Sequence, residues 1–300
     1  MRKNRSLSYR IFLVCTTIFM ILIAIIMTFP YLNTLAKALN EGIDTARGGI
    51  VLWPRVLTLD NFKVILNDSG FWLAGLISVL RVVIGVLLSL IVQFAAAYAL
   101  SKKDLPYKNI VVAFFTVQMF VGAGAIPTYV LYSKMHLLNS FWVYILPSLM
   151  SFYNVVIIRT FIQTTIPDSL YESAYIDGAT DVTVFARIVI PLSKPVLATM
   201  ALWTMVNHWN DWTTTLTYIR NPKLYTLQYK MMQLIKESDR MQSIIEAARV
   251  SGQIVEETSL PTSDGLIAAQ VILSTLPIVC AYPFLQKYFV KGITIGAVKG

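Results

Sequence analysis

The apolar residues of this chain are gathered into six runs, at 11–35, 71–100, 109–132, 141–162, 195–219 and 265–288. A bilayer core of ~30 Å takes about 20 helical residues to cross, and each run is long enough. Of the 300 residues 56% are hydrophobic and only 14% charged, where a soluble domain carries roughly a quarter charged. Lipid offers no hydrogen bonds to a bare backbone, so only helices and closed barrels span it. A barrel would show short alternating segments instead of long runs. The expectation is an all-α polytopic membrane protein with six transmembrane helices.

Direction follows from the placement of Lys and Arg. Residues 1–10 carry Arg2, Lys3, Arg5 and Arg10 and no acid. Ala36-Lys37-Ala38 looks like a signal cleavage site, but a signal core is about 7–15 apolar residues and this run is longer. The first run is therefore read as an uncleaved span. Lys102, Lys103, Lys108, Lys287 and Lys291 crowd against span ends. These place the tails 1–10 and 289–300 and the segment 163–194 in the cytoplasm, and the loops 36–70 and 220–264 outside. The net charge of +9 suits anionic headgroups; there is no basic stripe or motif for nucleic acid. Cys15 and Cys280 lie in apolar runs without CxxC spacing. His136 and His208 are the two histidines, so neither a metal site nor a catalytic constellation is expected.

The segment 163–194 is polar and interrupts this pattern. Pro167 ends what precedes it, since proline cannot continue a helix ladder. Ser169-Leu170-Tyr171-Glu172 fits a capping box with Ser169 as N-cap. Leu170, Tyr171, Ala174 and Tyr175 then share a helix face. Gly178 stands where a left-handed residue would stop that helix. A second short helix puts Val184, Phe185, Ile188 and Val189 on one face, before Pro191 and Pro195. An amphipathic loop lying on the inner leaflet would carry basic residues, yet the first helix carries Asp168, Glu172 and Asp177.

These residues resemble the EAA loop of ABC importer membrane subunits. Glu172, Ala174, Asp177, Gly178, Ala179, Phe185, Ile188, Pro191 and Pro195 fit its pattern, and Ser173 replaces one alanine by another small residue. Trp209-Asn210-Asp211, the ending Ala96-Ala97-Tyr98-Ala99-Leu100-Ser101 and the tail 291–300 are similar to sugar-importer permeases of the MalG type, within them the LplC/YtcP-like group. The resemblance implies a type I ABC importer fold with a coupling hairpin between helices four and five, core 71–288. It implies a non-catalytic subunit of the bacterial cytoplasmic membrane. Its partners would be a second permease subunit in a heterodimer, two ATPase subunits and an external solute-binding protein. This chain has no GxxxxGK[ST] phosphate loop, so ATP and Mg would sit on the partner. By the same resemblance, Leu224-Tyr225-Thr226-Leu227 begins an element facing the binding protein. Importers of other solutes share the coupling loop; a membrane enzyme or an anchor subunit is the more distant alternative.

Polar side chains inside spans are costly and mark candidate path residues. Asn207, Trp209, Asn210 and Asp211 suit a sugar; they equally suit the membrane interface or contacts between helices. Gln93, Gln118, Tyr153 and Asn154 are either path residues or helix–helix contacts. Arg81 lies about ten residues into its span. Either it snorkels to headgroups or it faces an anionic sugar.

Overall fold

The computed structural model describes residues 7–250 and 263–297, with side chains chiefly of 7–240 and 264–280. In chain order the helices are α1 (Leu7–Ala38), α2 (Gly42–Ala46), α3 (Asp60–Asn67), α4 (Ser69–Ser101), α5 (Lys108–Phe120) and α6 (Ala125–Lys134). Two 3-10 turns follow, Phe141–Tyr144 and Leu146–Ser148, then α7 (Phe152–Thr165), α8 (Asp168–Ile176) and α9 (Asp181–Val184). A π-helical turn, Phe185–Val189, leads to α10 (Ile190–Leu192), α11 (Lys194–Asn210), α12 (Thr213–Tyr218), α13 (Leu227–Val250) and α14 (Ser263–Ala297). No strand occurs among the described residues.

The chain divides into two compact units, Met1–Ser69 with Met231–Leu276, and Gly70–Lys230 with Pro277–Gly300. In the first, α1 keeps its apolar side chains outward: Ile11, Phe12, Ile26 and Met27 are all exposed, and only Ala36 and Ala38 are buried. An apolar surface of that extent is compatible with lipid and not with water. The expected outer loop 36–70 is itself folded. Buried Asn40 donates to Thr45 Oγ1 and Asp44 Oδ2, each at 3.0 Å, and accepts from Val56 N at 2.9 Å. Asn61 donates to the carbonyls of Ala38 and Asn40.

In the second unit α4 and α7 pack through Phe94, Ala97, Phe152, Val155 and Ile158, with Val196 and Met200 of α11 joining them. Lipid removes the hydrophobic drive between spans, so close packing and polar contacts hold such helices together. Asn139 Oδ1 accepts from the backbone of Arg220 and Asn221, and Ser78 Oγ accepts from Leu227 N at 2.8 Å. Tyr144 donates to the Leu224 carbonyl at 2.8 Å. The segment after α12 is thereby tied down at both ends.

Three expected spans are not single helices. The run 109–132 bends by 117° between α5 and α6, where Val121 is extended and Gly124 has φ +81°. Pro127 falls in the first turn of α6, where a missing N–H costs nothing. The run 141–162 opens as 3-10 turns around Pro147 and bends by 46° into α7. The run 195–219 breaks at Asp211, which is extended, between α11 and α12. Among the described residues two helices, α1 and α4, are long and apolar enough to cross unaided. The expected outer stretch 238–250 is helical within α13. The helix containing the sixth run reaches Ala297, where a tail was expected from 289. The side chains of the tail motif and residues 1–6 lie outside the described residues.

Candidate functional site

The polar segment folds as a hairpin whose turn explains its small residues. The Ala179 N–H bonds the Ala174 carbonyl at 2.9 Å and the Gly178 N–H bonds that of Tyr175 at 3.0 Å. Together these form a Schellman ending, which needs a left-handed residue at Gly178; its φ is +80°. The motif brings Ala174 and Ala179 together, and both pack on the core below. Larger side chains there would lift the hairpin off its seat. The helix start differs from the capping box. Asp168 is the first helical residue, Pro167 precedes it, and no side chain caps the end. Ser169 lies inside the helix and its carbonyl accepts from Ser173 Oγ. The second limb does have a side-chain cap, with Thr180 accepting from Thr183 N.

The expected coupling residues separate into two sets. Glu172, Ser173, Asp177, Gly178 and Pro191 are exposed. Ala174, Ala179, Phe185 and Ile188 form the seat, beside fully buried Val184 and Val189. Phe185 packs on Phe94 at 5.3 Å and Tyr98 at 5.0 Å between ring centroids. Two apolar residues missed by the motif reading stand at the turn. Ile176 is 85% exposed and Val182 74%. In a segment read as cytoplasmic, such side chains beside a glycine turn are suited to entering a protein cleft. Their position beyond the expected helix face was the available signal.

A charged and aromatic cluster joins the hairpin to the C-terminal end of α4. Lys102 Nζ donates to Tyr175 Oη and to Asp181 Oδ1 at 3.0 Å, while Tyr175 Oη donates to the same carboxylate at 2.6 Å. The ammonium lies 4.8–5.1 Å from the rings of Tyr98, Tyr171 and Tyr175. Burial pushes the Lys102 pKa down, but its bonds to Tyr175, Tyr98 and Asp181 outweigh that and hold it above the ordinary lysine value. The Tyr175 hydroxyl and then Lys102 hold Asp181 below the ordinary carboxylate value. Lys103 pairs with Asp168 at 2.5 Å. In the sequence these lysines read only as markers of the inner side.

The candidate path residues scatter. Arg81, 3% exposed, pairs with the Asp211 side chain, donates to the Asp211 carbonyl at 2.8 Å and lies 4.5 Å from the Tyr144 ring centre. Its charge is taken up internally by Asp211, a partner that the sequence reading did not pair with it. Asp211 also accepts from Thr213, Thr214 and the Thr214 N–H, so it starts α12 as well. Asn154 donates to Gln93, which donates to the Leu149 carbonyl, both at 3.0 Å; these amides join helices. Trp209 is buried, and Gln118 stands exposed on α5. Asn207 and Asn210 are exposed on α11 in line with Trp203, at the spacing of one helix face. The Trp203 ring, 42% exposed, lies nearly parallel to that of Tyr153, 51% exposed, with centroids 6.0 Å apart. The sequence reading did not single out Trp203.

Residues 1–295 match the family model described as binding-protein-dependent transport system inner membrane component. The chain belongs to this family. The chain is similar to Protein LplC of Bacillus subtilis (strain 168), 34% identical over 97% of this chain and 96% of the relative. The polygalacturonan/rhamnogalacturonan transport system permease protein YtcP of the same organism is 31% identical over 94% of this chain and 96% of its own. The fold is also that of a solved bacterial ABC transporter involved in import of the acidic polysaccharide alginate. There the TM-score is 0.82 at 24% identity, covering 95% of this chain and 99% of that one.

Proposed function

We propose that this binding-protein-dependent permease is the membrane subunit of an ATP-driven importer for a sugar or oligosaccharide. The observation that carries the coupling is the hairpin's division of labour. Glu172, Ser173, Ile176, Asp177 and Gly178 face out while the alanines and Phe185 seat the turn. An ATPase subunit holding ATP and Mg would receive the exposed set in a cleft. Closure of two such subunits would move the hairpin and rock this chain against a second, different permease. We place six crossings in the bacterial cytoplasmic membrane, three of them interrupted, with both termini and the hairpin inside. An external binding protein delivers the sugar to the opposite side.

For the substrate path we take the exposed face of α11. Asn207 lies 13 residues beyond Lys194, about 20 Å along the helix. Amides at that depth cannot face hydrocarbon cheaply. Trp203 and Tyr153 beside them offer ring faces to sugar C–H groups, and Asn207 and Asn210 offer hydrogen bonds to hydroxyls. A carbohydrate cargo is supported by the name of YtcP. Arg81 gives no support for an acidic one, since Asp211 already neutralises it.

The test is ATPase activity in lipid nanodiscs, with this chain tagged and co-expressed with its neighbouring transport genes. Loaded binding protein is added with a panel of neutral and acidic oligosaccharides. Stimulation by one loaded binding protein is the expected result. Absence of any co-purifying ATPase, with the partners expressed and folded, would refute the coupling reading.

A further inference from the structure

Four groups from three elements converge on one ammonium, that of Lys102. Tyr98 and Lys102 belong to the C-terminal end of α4 and the turn after it, Tyr171 and Tyr175 to α8, and Asp181 to the first residue of α9. We propose that Lys102 is the positioning residue of the coupling step, the joint through which movement of the hairpin is passed to α4. This rests on the importer reading above and names the residue that carries it.

The argument is geometric. A short hairpin pushed from its exposed turn can tilt on an apolar seat, because ring contacts such as Phe185 on Phe94 and Tyr98 are not directional. A bonded cation is directional. Lys102 is linked at once to both limbs of the hairpin, through Tyr175 on α8 and Asp181 on α9. The Tyr175–Asp181 bond closes the triangle and fixes the limbs to each other. On the α4 side the Lys102 carbonyl accepts from Lys108 Nζ at 2.6 Å, so the turn that carries the joint is itself braced to α5. α4 also holds Arg81, whose partner Asp211 is the break between α11 and α12. A displacement of the hairpin that moves α4 along its axis therefore reaches the far end of α11 without passing through a flexible loop.

Each contact alone is weak at a partly exposed site. Acting on one ammonium, they are expected to shift coupling by about tenfold. The experiment measures sugar imported per ATP hydrolysed in proteoliposomes containing the whole transporter. Lys102→Met keeps bulk and removes the charge; Lys102→Arg keeps the charge; Asp181→Asn removes one corner of the triangle.

The expected result is a drop of about tenfold in sugar per ATP for Lys102→Met, a smaller drop for Asp181→Asn, and substantial recovery with Lys102→Arg. A merely structural lysine would lower uptake and hydrolysis together and leave their ratio unchanged. An unchanged ratio in Lys102→Met overturns the proposal while leaving the importer reading intact. If Lys102→Met does not assemble, Asp181→Asn decides in the same way. A wild-type complex that assembles and hydrolyses no ATP overturns both.

Discussion

Replacing Asp211 by Asn keeps the side chain's shape and removes one charge from a pair that is almost closed to water. Arg81 is 3% exposed and the Asp211 side chain 25%. Breaking a buried pair from one side costs about 3–5 kcal/mol, because the other charge stays behind. Water reaching Asp211 lowers the strength of the original pair, so the expected cost is about 3 kcal/mol, the low end of that range. The reverse change is milder. Arg81→Met removes the stranded charge together with a buried Nε that has no hydrogen-bond partner among the described residues. It leaves Asp211 with the Thr213 and Thr214 donors, and about 1–2 kcal/mol is expected. The double variant should be more stable than Asp211→Asn alone. The assay is chemical denaturation in nanodiscs, followed by tryptophan fluorescence, with all three variants in a cycle. If Asp211→Asn were as stable as wild type, or if the double variant were the least stable of the three, the pair would not be the buried lock described.

Three further outcomes follow from single contacts. Gly178 sits at φ +80° with open space around its Cβ position, so Gly178→Ala is penalised by conformation alone, about 1–2 kcal/mol. Uptake should rank Gly178→Asn above Gly178→Ala, since Asn tolerates that region better, and Gly178→Asp should uncouple hydrolysis from transport while the subunits still assemble; equal uptake in all three would contradict this. A Cβ at Gly85 would lie 2.5 Å from His208 Nε2, and overpacking of this kind costs about 1–3 kcal/mol; Gly85→Ala should lower denaturation midpoints, and an unchanged midpoint would show that the helices part easily. Asp181 titrates below its ordinary 3.8 in the folded chain, so its contribution is complete above that value and lost as pH falls through the depressed one. Amide exchange of 168–184, corrected for intrinsic rates, should keep its protection from pH 6 to 5 and lose it only as pH falls below the ordinary carboxylate value, and Asp181→Asn should remove that dependence.

The helical class and the glycine turn at Gly178 were legible because both depend on short-range pattern. Apolar run length marks a span, and the glycine turn at Gly178 is a local backbone requirement. The breaks at 121–124, 145–151 and 211–212 were not legible as breaks, since each lies inside an apolar run; the last two also bond to partners far along the chain. Asp211 shows why. Its role depends on Arg81, 130 residues away, and substrate contact was only one of the readings open to each residue alone. Ser169 misled for a different reason. The spacing of a capping box was present, but Pro167 takes the entry to α8 with a fixed φ of −65°, which makes Asp168 the first helical residue. Lys102 was visible only as a charge, because its three tyrosine neighbours come from two elements that the sequence separates by about seventy residues.

The central claim is that the exposed turn of the hairpin enters a cleft of the ATPase subunit. The direct measurement places a photo-crosslinking amino acid at Ile176, the most exposed apolar side chain of that turn, in the assembled transporter. The account predicts an adduct with the ATPase subunit, weakened when nucleotide is exchanged or removed, and none from a control probe at Trp142. An assembled, ATP-hydrolysing complex in which Ile176 crosslinks only to lipid would contradict it.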